Sequence, residues 1–190
     1  MKLSPILILL GGLSVGHLHA LESAELAAVA KRFASPSGDE QYEARADLNR
    51  LVAQSTLPGK GDPAAVTKLL VAAIESPDTP KEAVKYILRS LSRFATADVV
   101  APLTRILNGP DAMLREEARE TLSWIADPKA TTALEAALAK TTDKREKTSL
   151  IAALATRKSA SSVPVVASIL RDADPELAAL IQRIGQAEMG

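Results

Sequence analysis

An apolar step that returns along the whole chain constrains its fold more than any other feature. Leu48-Asn49-Arg50-Leu51, Leu91-Ser92-Arg93-Phe94, Leu122-Ser123-Trp124-Ile125, Leu154-Ala155-Thr156-Arg157 and Ile181-Gln182-Arg183-Ile184 start 43, 31, 32 and 27 residues apart. In each, the first and last residues share one face of a helix. The fourth copy departs from the pattern, with Arg157 where an apolar residue is expected.

A second helix runs in the same register. Leu103, Leu134 and Val165 stand 31 residues apart, and Pro102 and Pro164 occupy equivalent places, as proline does in a first helical turn where its missing N–H costs nothing. The clearest unit spans Asp98 to Lys129, two helices joined at Asn108-Gly109-Pro110-Asp111. The long first interval has its cause in the loop Gln54 to Asp62, and the short last one in a truncated unit. Helix pairs at such a period bury their apolar faces only against their neighbours, so the chain is predicted to be an all-α solenoid of about five helix pairs.

The sequence Asp111-Ala112-Met113-Leu114-Arg115, continued by Glu116-Glu117-Ala118, Thr121-Leu122, Ile125 and Ala126-Asp127-Pro128, resembles the second helix of HEAT repeats, in particular the short bacterial kind also found in phycobilin lyases. The resemblance extends over about residues 24 to 184. It implies a right-handed α-α superhelix in which second helices line the concave face, and it carries no activity of its own.

Composition fits stacked helices. Of 190 residues 47% are hydrophobic but only 3% aromatic, and alanine and leucine favour closely packed helices over a large spherical core. Residues 21–190 are expected to form one repeat domain. Residues 1–20 read differently: Lys2 is followed by the apolar run Ile6 to Val15 and by Leu18-His19-Ala20, the pattern of a cleaved secretory signal peptide. A retained N-terminal anchor is the alternative, and the absence of cysteine excludes a lipoprotein anchor.

Cleavage would narrow the available chemistry. Both histidines, His17 and His19, lie in the leader and the chain has no cysteine. A mature chain would therefore lack Cys and His nucleophiles, His bases, and zinc or haem sites built on imidazole or thiolate, and no cofactor is expected. Without Lys2 there remain 22 basic and 23 acidic residues, a balance with no electrostatic footprint for nucleic acid or an anionic membrane.

Helix starts are marked along the chain. Ser23 opens the first helix, whose Leu26, Val29, Ala30 and Phe33 share a face. Ser37 with Glu40, and Asp143 with Glu146, have capping-box spacing. Asp62-Pro63, Asp127-Pro128 and Asp174-Pro175 each place a capping residue before a proline, while Thr79-Pro80-Lys81-Glu82 combines an N-cap, a proline at N1 and a glutamate at N3. In the last helix Leu177, Leu180, Ile181 and Ile184 make a one-sided stripe, as suits a terminal repeat.

Four features are candidates for function. Lys81, Lys85, Arg89 and Arg93 recur every four residues. They read either as an anion-binding surface or, with Glu116 and Glu120 lying 31 residues beyond Lys85 and Arg89, as ion pairs between adjacent repeats, and the second reading is the simpler. The Glu116, Glu117 and Glu120 cluster lies among Arg115 and Arg119, the pattern of a solvated helix face rather than of paired catalytic carboxylates. Leu57-Pro58-Gly59-Lys60-Gly61 lacks the spacing of a phosphate loop and reads as a turn. Arg50, Arg93 and Trp124 fall at equivalent flank positions of three consecutive second helices. They form a candidate interaction surface, unless Trp124 simply fills a gap between repeats.

The expected function is that of an exported scaffold or protein-interaction module with an unidentified protein partner, no catalytic residues and no metal. A lyase-like or isomerase-like enzyme on the same scaffold, and a structural spacer, are the rival readings. A ligand-sized cavity with converging polar groups and perturbed carboxylates would favour the enzyme, an open groove the scaffold.

Overall fold

A computed structural model describes residues 22–171, apart from 60 and 159. Residues 1–20, where a leader is expected, and Leu177, Leu180, Ile181 and Ile184, where a terminal stripe is expected, lie outside the described residues. Among those residues the chain forms α1 (Ser23–Arg32), α2 (Gly38–Ser55), α3 (Pro63–Glu75), α4 (Lys81–Leu91), α5 (Val100–Leu107), α6 (Ala112–Trp124), α7 (Pro128–Lys140), α8 (Lys144–Thr156) and α9 (Val163–Arg171). Short 3-10 turns at Ala97–Val99 and Ala160–Ser162 lead into α5 and α9.

The helices pack as two layers. α1, α3, α5 and α7 each pair with the even helix that follows, α2, α4, α6 and α8 stack in succession, and α1 meets α3 as α5 meets α7. An ion pair between Arg105 and Glu75 links α5 to α3. This is an α-solenoid, with its core between the layers. No described helix is long and apolar enough to cross a membrane.

The repeated leucines supply that core. Leu48, Leu91, Leu122 and Leu154 are buried at matching places in α2, α4, α6 and α8, as are Leu103 and Leu134 in α5 and α7, each contributing about 2 kcal/mol of apolar transfer. Ala44 and Ala118, one turn before Leu48 and Leu122, are fully enclosed. Small side chains there let helices approach closely, which is how so few aromatics suffice. In α9 the register slips by one residue: Val165 is only half-buried, while Val166 and Ala167 are buried.

Most helix starts follow the sequence signals. The Ser37 hydroxyl accepts from the Glu40 N–H, Asp62 from those of Ala64 and Ala65, Asp111 from Met113 and Leu114, Asp127 from Lys129, and Asp143 from Glu146, satisfying donors that the first turn leaves free. Thr79 is the exception. The Thr79 N–H donates to the Ser76 carbonyl at 3.2 Å, which draws Thr79 into the preceding turn. Pro80 becomes the N-cap of α4 with no side-chain capping bond.

The long loop after α2 is a packed turn. The Gly61 N–H donates to the Leu57 carbonyl at 2.8 Å. A Cβ at Gly61 would run into the Ser55 carbonyl, so the glycine serves close approach of backbone to the end of α2.

Arg32 of α1 and Arg50 of α2 both hydrogen-bond Asp47, and in that order they hold its carboxyl below its ordinary value of 3.8. A carboxylate with a lower pKa folded than unfolded adds stability above the unfolded value and loses it as pH falls through the folded one. Thermal melts between about pH 6 and about pH 2.5 are therefore expected to show an acid limb starting near pH 4. Asp47→Asn should cost up to about 1 kcal/mol at neutral pH and make that limb shallower, a small effect because the group is one-third exposed.

Candidate interaction surface

The second-helix layer carries the three residues singled out by the repeat. Trp124, the last residue of α6, is 60% exposed, so it does not fill a gap between repeats. Its indole N–H donates to Glu120 Oε1 at 3.2 Å, one turn back on the same helix. Arg93, in the turn after α4, donates to Asn49 Oδ1 of α2 at 3.3 Å. Arg50 is exposed and donates to Asp47 at 2.9 Å, the carboxylate that Arg32 also holds. All three are accessible, and no direct contact joins them; Asn49 rather than Arg50 is the α2 residue that Arg93 reaches.

The basic stripe of α4 does pair across to α6, but with a different partner. Arg89 forks onto Glu117, with Nε to Oε2 at 2.8 Å and Nη2 to Oε1 at 2.6 Å, and Lys85 Nζ lies 3.9 Å from Glu117 Oε1. Lys81 lies 3.9 Å from Asp111. The expected pairs, Lys85 with Glu116 and Arg89 with Glu120, do not form. Positions one repeat apart are related by translation and point the same way, so they cannot face each other. The facing partner sits on the opposite flank of the next helix, about 100° round from Glu116, where Glu117 is 8% exposed.

Glu116 and Glu120 turn instead towards Arg119. Arg119 donates to Glu116, lies 3.5 Å from Glu120 Oε2, and crosses to the Ser149 carbonyl of α8 at 3.1 Å. Arg115 bridges the carbonyls of Gly109 and Pro110 to Glu146. Arg115, Glu116, Arg119 and Glu146, with Asp143 and Arg145, line an open cleft of about 540 Å³ between α6 and α8. Arg119 holds the Glu116 carboxyl below its ordinary range, opposite to what a general acid at neutral pH requires.

Two arrangements carried little sequence signal. Around the Tyr86 ring of α4 stand Arg45 of α2 at 5.5 Å, Arg89 at 5.5 Å and Lys85 at 5.9 Å. The phenol oxygen accepts from Arg45 Nη1 at 3.1 Å, and the ring packs on Phe33 at 5.3 Å. The Tyr42 ring, 68% exposed, also lies 5.8 Å from the Arg45 guanidinium. The chain's two tyrosines thus meet at one basic site, a pairing that cannot be read from positions 44 residues apart.

The other arrangement is at Arg157, the residue that broke the apolar step. Its Nη1 donates to the Leu122 carbonyl at 2.7 Å and to the Ile125 carbonyl, Nη2 to the Asp127 carbonyl at 2.9 Å, and Nε to Thr131 Oγ1 at 2.8 Å. The guanidinium closes the C-terminal end of α6 and its turn into α7, where a cation also meets the negative end of the helix dipole. Burial pushes its pKa down, with Asp127 opposing.

Residues 66–155, from within α3 to the last turn of α8, match the family model described as HEAT repeats. No curated protein matches the chain.

Proposed function

Because the chain is a HEAT-repeat protein over residues 66–155, we propose that it is an exported scaffold that binds a protein partner on the exposed face of its second-helix layer. HEAT repeats generally mediate protein–protein interaction or scaffolding. The observation that carries the reading here is Trp124, a large apolar side chain left 60% exposed in a chain of which only 3% is aromatic. Tryptophan and arginine are the residues most enriched among interface hot spots.

Affinity capture from a periplasmic or extracellular extract, with residues 21–190 as bait, tests it. Trp124→Ala is expected to abolish capture while leaving the helical circular dichroism and melting temperature unchanged, since the side chain packs little. Capture that survives the substitution would remove this surface. The lyase-like alternative needs a carboxylate raised for proton transfer, whereas among the described residues Asp47 and Glu116 are lowered by arginines.

The export part of the proposal rests on Lys2, the apolar run and Ala20. N-terminal mass spectrometry of the secreted chain is expected to find Leu21 first. An intact Met1 on a cytosolic protein would overturn export and return His17 and His19 to the chemical inventory.

A further inference from the structure

The surface where α2 meets α4 carries more positive charge than the carboxylates paired with it neutralise. Arg45, Lys85 and Arg89 converge on the Tyr86 ring within 6 Å, and Arg93 joins them through Asn49, one turn beyond Arg45 on α2. Against these four cations stands one carboxylate within pairing distance among the described residues, Glu117, which is buried and faces only Lys85 and Arg89. Arg45 and Arg93 are held by neutral oxygens, Arg45 by the Gln41 carbonyl and the Tyr86 phenol and Arg93 by the Asn49 amide. The whole chain is electrically balanced, so this is a local concentration of charge.

We propose that this basic surface binds an acidic peptide segment of the partner in extended conformation, its carboxylates taken by Arg45 and Arg93. A guanidinium held by a neutral acceptor can still offer a planar, two-pronged face to a carboxylate. The spacing also fits. Asn49 lies one helical turn past Arg45 and Arg93 two turns past Tyr86, which sets the two guanidinium groups roughly 6 to 10 Å apart along this surface. Side chains on one side of an extended peptide recur at about 6.7 Å. The exposed Tyr42 ring at the α2 end supplies an apolar contact for an intervening residue. The proposal rests on the reading that the second-helix face binds protein, and names the chemistry of the segment bound.

The test uses residues 21–190 and a fluorescein-labelled decapeptide of alternating glutamate and valine, followed by fluorescence anisotropy, with a glutamine-for-glutamate peptide as control. Saturable binding of the glutamate peptide, weakened by salt, is expected. The double variant Arg45→Gln/Arg93→Gln should lose about tenfold or more in affinity with unchanged circular dichroism, and Arg93→Glu alone should lose at least as much. Equal binding by the variants, or equal binding of the glutamine peptide, would overturn the proposal. So would preferential binding to phosphatidylserine vesicles, which would make the surface a lipid site. If Trp124-dependent capture persists while the glutamate peptide fails to bind, this inference falls and the scaffold reading stands; capture that survives Trp124→Ala while the glutamate peptide binds removes only the scaffold reading at Trp124.

Discussion

Arg157→Ala is expected to destabilise the array by about 2 to 4 kcal/mol, reducing the melting temperature by roughly 5 to 15 °C. The side chain donates to three carbonyls and one hydroxyl, and hydrogen bonds to a charged group contribute about 1.5 to 3 kcal/mol each. They are not additive, and water can reach part of this half-buried site, so the sum is well below four separate bonds. Arg157→Lys should recover little, because a single ammonium cannot span acceptors spread from Leu122 to Thr131. Arg157→Leu is the sharper comparison: it restores the apolar residue found in other repeats but leaves the end of α6 without its donor. Urea unfolding of the three variants decides the matter. A leucine variant as stable as the parent would mean that the clamp contributes nothing net, as happens with some buried ionic groups.

Glu117→Ala should cost about 2 to 3 kcal/mol. The carboxylate side chain is 10% exposed and holds both Arg89 and Lys85. Removing one member of a buried pair usually costs more, but Arg89 is half exposed and can recover water. Arg89→Ala in a double-mutant cycle with Glu117→Ala is expected to show a coupling of about 1 to 2 kcal/mol, little affected by salt because Glu117 is shielded. Glu116→Ala and Glu120→Ala should show no coupling to Lys85 or Arg89. Coupling of Arg89 to Glu120 instead of Glu117 would restore the partner that the repeat spacing suggested.

These two residues mark where reading the chain alone succeeded and where it stopped. The helix pairs, their joint at Asn108 to Asp111, the buried Leu48, Leu91, Leu122 and Leu154, and the capping roles of Ser37, Asp62, Asp127 and Asp143 were all legible, because each depends on residues within a turn or two of one another. Thr79 misled because a backbone bond to Ser76 outweighed its side chain as a cap. The notion that Arg50, Arg93 and Trp124 form one row gave three exposed side chains with separate partners, and the basic surface around Tyr86 went unseen.

The sequence by itself determined that this chain is a repeating array of helix pairs and which face of each helix is buried, since apolar period and local capping are properties of a single helix. Only the tertiary structure decided that Lys85 and Arg89 meet Glu117, that Tyr86 gathers cations from two repeats, and that Arg157 closes the end of α6. Each of these depends on how one helix is rotated against the next. Translation along the array makes equivalent positions point the same way, so the residues that touch lie on opposite flanks, at offsets that the repeat period does not contain.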